Sequence, residues 1–199
     1  MIHTYSANQE ERRAFPYYLA VAATVITLIL HSSLLYFGFG VGAWVYLPTN
    51  FAIYCLLYYS LDRFLWKITI LQDAGLVKIP NLNGRWSGEL RSSHSQYQTQ
   101  HNVTLIITQT WATLSIKMES DKSTSWSSMA SIDTLSTSDI ELSWEYRAEA
   151  KRPDERDFNH RGVTRLVFNR SPQSLISKIS GIYYTQHDRD TNGIIDLRP

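Results

Sequence analysis

Residues Tyr17 to Phe39, YYLAVAATVITLILHSSLLYFGF, carry no formal charge, and a second uncharged run extends from Val41 to Leu61. At about 1.5 Å per residue, the first run is long enough to cross the roughly 30 Å of bilayer hydrocarbon. Gly38-Phe39-Gly40, between the runs, is too short to fold and flexible enough to turn. The pair predicts a transmembrane hairpin with helices over residues 17–39 and 41–61. The rest of the chain is then a domain held at a membrane.

The flanks orient it. Residues 1–14 read as a polar tail ending near Arg12-Arg13, and Arg63, Lys67 and Lys78 lie beyond the second run, whereas the turn has no Lys or Arg. Positive charge on both outer flanks predicts that both termini are cytoplasmic. Tyr17, Tyr18, Tyr36, Trp44, Tyr46, Tyr58, Tyr59 and Trp66 cluster near the run ends, where amphipathic rings prefer the headgroup zone. His31, Ser32 and Ser33 in the first run, with Pro48, Thr49 and Asn50 in the second, admit two readings: a polar seam that forms a pathway, or plain helix packing. The second is simpler: Pro48 opens a helix and His31 hydrogen-bonds between helices, with no carboxylate at its depth. Leu61, Phe64, Leu65, Ile68 and Leu71 keep helical spacing, extending the second helix to about residue 71 before Asp73-Ala74-Gly75 stops it. The hairpin region is thus 15–71, and residues 72–83 form a linker rich in turn formers.

Charge narrows the partners. The whole chain has net charge +1, and beyond residue 71 basic and acidic residues are equal in number. A general attraction to DNA, RNA or acidic lipid is therefore not expected, and an anionic ligand needs a local site. The single cysteine, Cys55, excludes an intrachain disulfide and a cysteine-based metal site, which suits a reducing compartment.

From Gly84 onward the apolar period changes to two. Trp86, Gly88 and Leu90 alternate with polar neighbours; so do Val103, Leu105 and Ile107, then Ala112 to Met118, then Ile140, Leu142, Trp144 and Tyr146. Trp126–Leu135, Val163–Phe168, Leu175–Tyr184 and Gly193–Arg198 complete about eight strands, separated by turn signals such as Thr191-Asn192-Gly193. The charged stretch 149–159 reads as a surface loop. Residues 84–199 are predicted to form an eight-stranded antiparallel barrel that closes its own edges, with a two-sheet sandwich as the alternative.

Enzyme signatures are missing. Asp188-Arg189-Asp190-Thr191-Asn192-Gly193 begins like a calcium loop, but the bidentate Glu is replaced by Pro199, so a hairpin turn is expected. His94, His101, His160 and His187 show no paired spacing for a metal, and no nucleophile elbow or phosphate loop occurs. A set of aromatic and hydroxyl residues stands out along the strands: Trp86, Trp111, Trp126, Trp144, Tyr146, Tyr183 and Tyr184, with Gln109, Thr164 and Thr185. They fill a barrel core, or, with Arg165, Arg189 and His160, suit a nucleotide-sized anion.

The order of motifs resembles the membrane-bound effectors of bacterial CBASS anti-phage systems, the class with two transmembrane segments and a β-rich sensing domain. The residues carrying the resemblance are Ile79-Pro80-x-Leu82-x-Gly84-x-Trp86-x-Gly88, Ile107–Trp111, the serine-rich 121–128, Asn159–Thr164, Gly181–Thr185, Arg189 and Asn192-Gly193. The resemblance implies a cytoplasmic barrel that binds a cyclic dinucleotide made by a partner nucleotidyltransferase. It implies further that the hairpins self-associate into homo-oligomers among inner-membrane lipid, and that membrane disruption kills the infected cell. Neither catalysis nor a cofactor is implied. The pocket residues it points to are Trp111, His160, Thr164, Tyr183, Thr185 and Arg189, with rings on bases, His160 and Arg189 on phosphate, and hydroxyls on base or ribose edges. Two other classes remain: a membrane-anchored lipid-binding or scaffolding barrel, and a small channel subunit capped by its barrel.

Overall fold

The computed structural model describes residues 2–7, 9–40, 42–134, 139–151, 159–169, 178–186 and 191–199. These form two compact units, one of residues 9–78 and the other of residues 1–8 together with 79–199.

The first unit is helical. Helix α1 runs Gln9–Tyr36, α2 runs Tyr46–Arg63, and a short α3 spans Thr69–Asp73. Helix α1 starts earlier than the uncharged run because Glu10 and Glu11 occupy its first turn, where the helix dipole favours acidic side chains. Its end is also earlier than expected. Gly38 adopts φ +85°, Gly38 N–H donates to Leu35 O at 3.0 Å, and Phe39 N–H donates to Leu34 O at 2.9 Å. This pair of bonds closes the helix at Tyr36 with glycine in the left-handed position. Pro48 falls in the first turn of α2, where its missing N–H has no intrahelical acceptor to lose.

Among the described residues, one helix is long and apolar enough to cross a membrane by length and composition, Glu10–Tyr36. Helix α2 has 18 residues and ends in Asp62 and Arg63. The expected second span over 41–61 does not meet the same standard of length and composition. Between the two helices, Asn50 Nδ2 donates to Thr24 Oγ1 at 3.4 Å, and the His31 and Tyr46 rings lie 4.0 Å apart. Thr24, Thr27, Ser33 and Ser60 each donate to the carbonyl four residues back, so their hydroxyls are satisfied within their own helix. Asn50–Thr24 and His31–Tyr46 are contacts between the two helices, the second a ring contact where the sequence suggested a hydrogen bond.

The second unit is a barrel. Strands are β1 (His3–Thr4), β2 (Gly84–Ser92), β3 (Gln100–Gln109), β4 (Thr113–Ser120), β5 (Ser123–Thr134), β6 (Asp139–Ala150), β7 (His160–Asn169), β8 (Ile179–Thr185) and β9 (Asn192–Arg198). From β2 to β9 each pairs antiparallel with the next in sequence, and β9 returns to pair with β2. Among the described residues this closes eight strands up and down, with no free edge between first and last. Closure rules out the sandwich. Period-two alternation places Trp86, Leu105, Ile116, Leu142, Leu166 and Leu197 inside, buried, while their neighbours face out.

One seam is incomplete. Strands β4 and β5 pair only from Lys117 to Glu119 against Thr124 to Trp126. Beyond that they part, and residues 2–7 enter the gap: His3 and Thr4 pair with Leu114 and Thr113, and Ser6 bridges Ser131 in parallel. The N-terminus is thus part of the barrel where the sequence suggested a polar tail over 1–14. Six residues show no period by themselves, but Tyr5 and Ala7 are buried and supply the apolar hold.

Candidate functional site

An up-and-down barrel has two ends, and its turns alternate between them. The β3–β4 turn lies at one end, together with the entry to β2 and the C-terminus. The β2–β3 and β4–β5 turns lie at the other, together with the end of β6, the start of β7, the end of β8 and the start of β9.

The first end is closed by polar bonds. Gln109, 2% exposed, is its hub. Gln109 Oε1 accepts from Leu82 N–H at 2.9 Å, and Gln109 Nε2 donates to Pro80 O at 3.2 Å and to the Tyr5 hydroxyl at 3.3 Å. On the main chain, Gln109 N–H donates to Asn83 Oδ1 at 2.7 Å, and Asn83 Nδ2 donates to Gln109 O at 2.9 Å. Trp86 Nε1 donates to Leu82 O at 3.0 Å, and the Tyr5 hydroxyl to Trp111 O at 3.0 Å. Trp111 is buried in this plug. A closed amide network of this kind leaves none of these groups free for a ligand.

The second end collects a different set. Pairing places Tyr146 opposite Gly162, Trp144 opposite Thr164, and Ala148 opposite His160. Across the next strand, Thr164 faces Tyr183 and Gly162 faces Thr185; across the next, Tyr183 faces Gly193. Four of the expected pocket residues, His160, Thr164, Tyr183 and Thr185, therefore come together. Trp111 does not join them, because its turn belongs to the opposite end. Arg189 lies outside the described residues, as do His187, Asp188 and Asp190.

The geometry within this cluster is specific. The His160 and Tyr146 rings meet edge to face, with centroids 5.7 Å apart and planes at 87°. Two glycines make room for aromatic rings. A Cβ on Gly193 would stand 2.1 Å from Tyr183 Cε1, and one on Gly162 would stand 2.5 Å from the Tyr146 hydroxyl. Neither distance is attainable, so the tyrosines occupy space that only glycine leaves open. Thr185 is engaged locally: its Oγ1 donates to Thr191 O at 3.0 Å and accepts from Thr191 N–H at 2.9 Å, shaping the β8–β9 turn.

Thr164 is different. It is wholly buried, and its Oγ1 has no hydrogen-bond partner among the described residues. Leaving a buried hydroxyl unpaired costs about 1–3 kcal/mol, so the position is one a bound polar group would repair. At the rim, the Tyr97 hydroxyl donates to Asn192 Oδ1, and Asn192 N–H donates to Ser93 Oγ at 3.1 Å. Gln96 and Tyr97 both carry positive φ, 51° and 62°, uncommon for residues other than glycine, at the turn between β2 and β3. Arg147 and Arg161 pair in register on the outer face beside this end.

Tyr97, Gly162 and Gly193 had no place in the sequence-derived pocket. Asn192-Gly193 signalled a turn, but not that its glycine lies under a tyrosine ring. Among the described residues no cluster of three His, Cys, Asp or Glu side chains is arranged to hold a metal. What the described strands bring together is a set of buried aromatic rings, a hydroxyl without a partner among the described residues, and an imidazole.

Residues 77–199 match the family model described as Cap15, cyclic dinucleotide receptor domain. The match covers the barrel strands β2–β9 in full. No protein of curated function matches the chain.

Proposed function

The chain belongs to this Cap15 family of cyclic-dinucleotide-sensing CBASS effectors, and we propose that its ligand enters the barrel at the end lined by His160, Thr164 and Tyr183. The observation that carries the placement is the buried Thr164 hydroxyl without a partner among the described residues, in register with Trp144 and Tyr183, while the amide of Gln109 at the opposite end is already bonded to Leu82 and Pro80. Tyr183 and Tyr146 stack with bases, Thr164 bonds a base or ribose edge, and His160 faces phosphate. Thr185, bonded to Thr191, holds the ends of β8 and β9 together, and Arg189 is assigned to phosphate. Trp111 belongs to the plug. The protein acts by binding rather than by turnover, and its cyclic dinucleotide comes from a partner nucleotidyltransferase.

Output is at the bacterial inner membrane. The chain leaves the barrel at Ala7 and returns to it at Ile79, so residues on both sides of the helical unit belong to one folded body. If α1 crosses the membrane, the chain must cross back before residue 79, and α2 is the segment available. This connectivity supports the two-helix hairpin with both barrel segments in the cytoplasm, even though α2 is short. Two helices enclose no pore by themselves, so disruption requires homo-oligomers, driven by a ligand that binds the assembled state more tightly than the resting one. Loss of the membrane then ends the infected cell.

The test is dye release from liposomes carrying the full chain. Release on adding one cyclic dinucleotide, and not with linear nucleotides, is the expected result. Release with no nucleotide present would instead favour a constitutive channel, and a response to fatty acids alone would favour a lipid-binding barrel.

A further inference from the structure

The seam between β4 and β5 is filled from outside the barrel's own strand order. Beyond Trp126 the two strands separate, and the N-terminal residues supply what the ladder lacks: Ser6 N–H donates to Ala130 O at 3.0 Å, and Ile132 N–H donates to Ser6 O at 2.9 Å. Side chains add recognition. His3 Nε2 hydrogen-bonds Ser127 Oγ at 2.7 Å, and the same oxygen accepts from Ile116 N–H at 3.0 Å, at the bulge between Ser127 and Met129. The buried Tyr5 reaches the carbonyls of Thr110 and Trp111 at 3.3 and 3.0 Å. The seam therefore reads an extended segment with a histidine and, two residues on, a tyrosine.

The hold is short. The register is two residue pairs and one bridge, and the covalent chain from this segment reaches the other strands only by way of residues 9–78. Brief terminal elements open at less cost than the strands they pair with. When residues 2–7 leave, the edges at Thr113–Leu114 and Ala130–Ile132 expose unpaired N–H and C=O groups, which template another strand. Every copy carries both the same seam and the same segment. Chains anchored in one membrane present them to each other at high local concentration, the condition for reciprocal exchange.

We propose that the β4–β5 seam is a strand-accepting site, and that on assembly it takes residues 2–7 of a second copy in place of its own. The proposal rests on the reading of the protein as a ligand-driven homo-oligomer and supplies its contact. It makes the N-terminal strand a clasp in the resting chain and a link in the oligomer.

Cross-linking separates the two arrangements. Ser6 and Ser131 are bridge partners, close enough for a disulfide, and a Cys55→Ser background removes the native thiol. Full chains carrying Ser6→Cys or Ser131→Cys are mixed in detergent, oxidised with and without cyclic di-AMP, cyclic di-GMP, cyclic GMP–AMP or cyclic UMP–AMP, and run on non-reducing gels. Light scattering reads assembly independently. Exchange predicts that the nucleotide that drives assembly raises the intermolecular cross-link at least fivefold. It also predicts that the Ser6→Cys, Ser131→Cys double variant, locked within one chain by oxidation, fails to assemble until reduced. Assembly with the cross-link at its ligand-free level, or assembly of the locked chain, overturns exchange and leaves assembly standing. Scattering that stays monomeric with every nucleotide, with no intermolecular cross-link, overturns both.

Discussion

Gly193 lies beneath the ring of Tyr183: a Cβ built on it would meet Cε1 at 2.1 Å and the carbonyl oxygen of Arg91 at 2.3 Å. The side-chain clash would force Tyr183 out of its place, and the backbone clash would loosen β9 from β2. Gly193→Ala is expected to destabilise the barrel by about 1–3 kcal/mol, the range for overpacking, and to weaken cyclic dinucleotide binding at least tenfold. Thermal melts and binding titrations of the same preparation measure both.

The sealed end makes the opposite prediction. Tyr5→Phe removes the hydroxyl that donates to the Thr110 and Trp111 carbonyls and accepts from Gln109 Nε2, away from the His160, Thr164 and Tyr183 cluster, and is expected to lower stability by about 1–3 kcal/mol. Gln109→Leu strands Leu82 N–H and Pro80 O as well, at about 1–3 kcal/mol for each buried group left unpaired. Provided each variant remains folded, ligand affinity should stay within about twofold of the parent, since neither side chain belongs to the His160, Thr164 and Tyr183 cluster. Denaturant unfolding of the full chain in detergent, beside a binding titration, tests the separation.

Much of the fold is legible in the sequence, for reasons that differ by element. The eight strands show because one face is buried and the other wet, which imposes period two on Val103 to Ile107 and on Ile140 to Tyr146. Helix ends are less visible. The uncharged run begins at Tyr17, but Glu10 and Glu11 stabilise a helix start rather than oppose it, and the Gly38 cap rests on backbone bonds. Residues 2–7 are not legible, because their partners lie more than a hundred residues away. The split of the candidate pocket comes from topology. In a meander, the turn holding Trp111 and the strand ends holding His160 and Thr185 lie at opposite ends, a consequence only of counting strands.

Acid sensitivity has an identifiable contributor on the outer face. Asp196 is held below the ordinary aspartate range, first by a hydrogen bond from Ser180 and then by Lys178, whose Nζ lies 3.0 Å from its Oδ1. Because the folded carboxyl is the stronger acid, its contribution is complete above the unfolded value and is lost as pH falls through the lower folded one. Half-exposed, the pair is worth roughly a few tenths of a kcal/mol. Asp196→Asn should melt slightly below the parent at neutral pH, and the gap should shrink as pH falls below the ordinary aspartate value. Parallel melts across that range show whether it does.

Connectivity predicts the membrane topology. In a Cys55→Ser background, Gly40→Cys in the turn between α1 and α2 should react with an impermeant maleimide added outside spheroplasts. Ser87→Cys on the outer face of β2 should react only after lysis. Labelling of both from the same side would remove the hairpin, leaving α1 to lie on the membrane or to be covered by protein.

The central claim is that a cyclic dinucleotide fills the end of the barrel where the Thr164 hydroxyl lacks a partner. The measurement that addresses it most directly is the melting temperature of the full chain, parent and Thr164→Val, against cyclic di-AMP, cyclic di-GMP, cyclic GMP–AMP and cyclic UMP–AMP. Replacing an unpaired buried hydroxyl with a methyl group should leave the ligand-free melt equal or higher. At a ligand concentration about a hundred times Kd, the parent should gain about 2.7 kcal/mol by mass action, and one nucleotide should stand out. The account predicts that Thr164→Val loses most of that shift while melting normally alone. An undiminished shift in Thr164→Val would place the ligand elsewhere and contradict it.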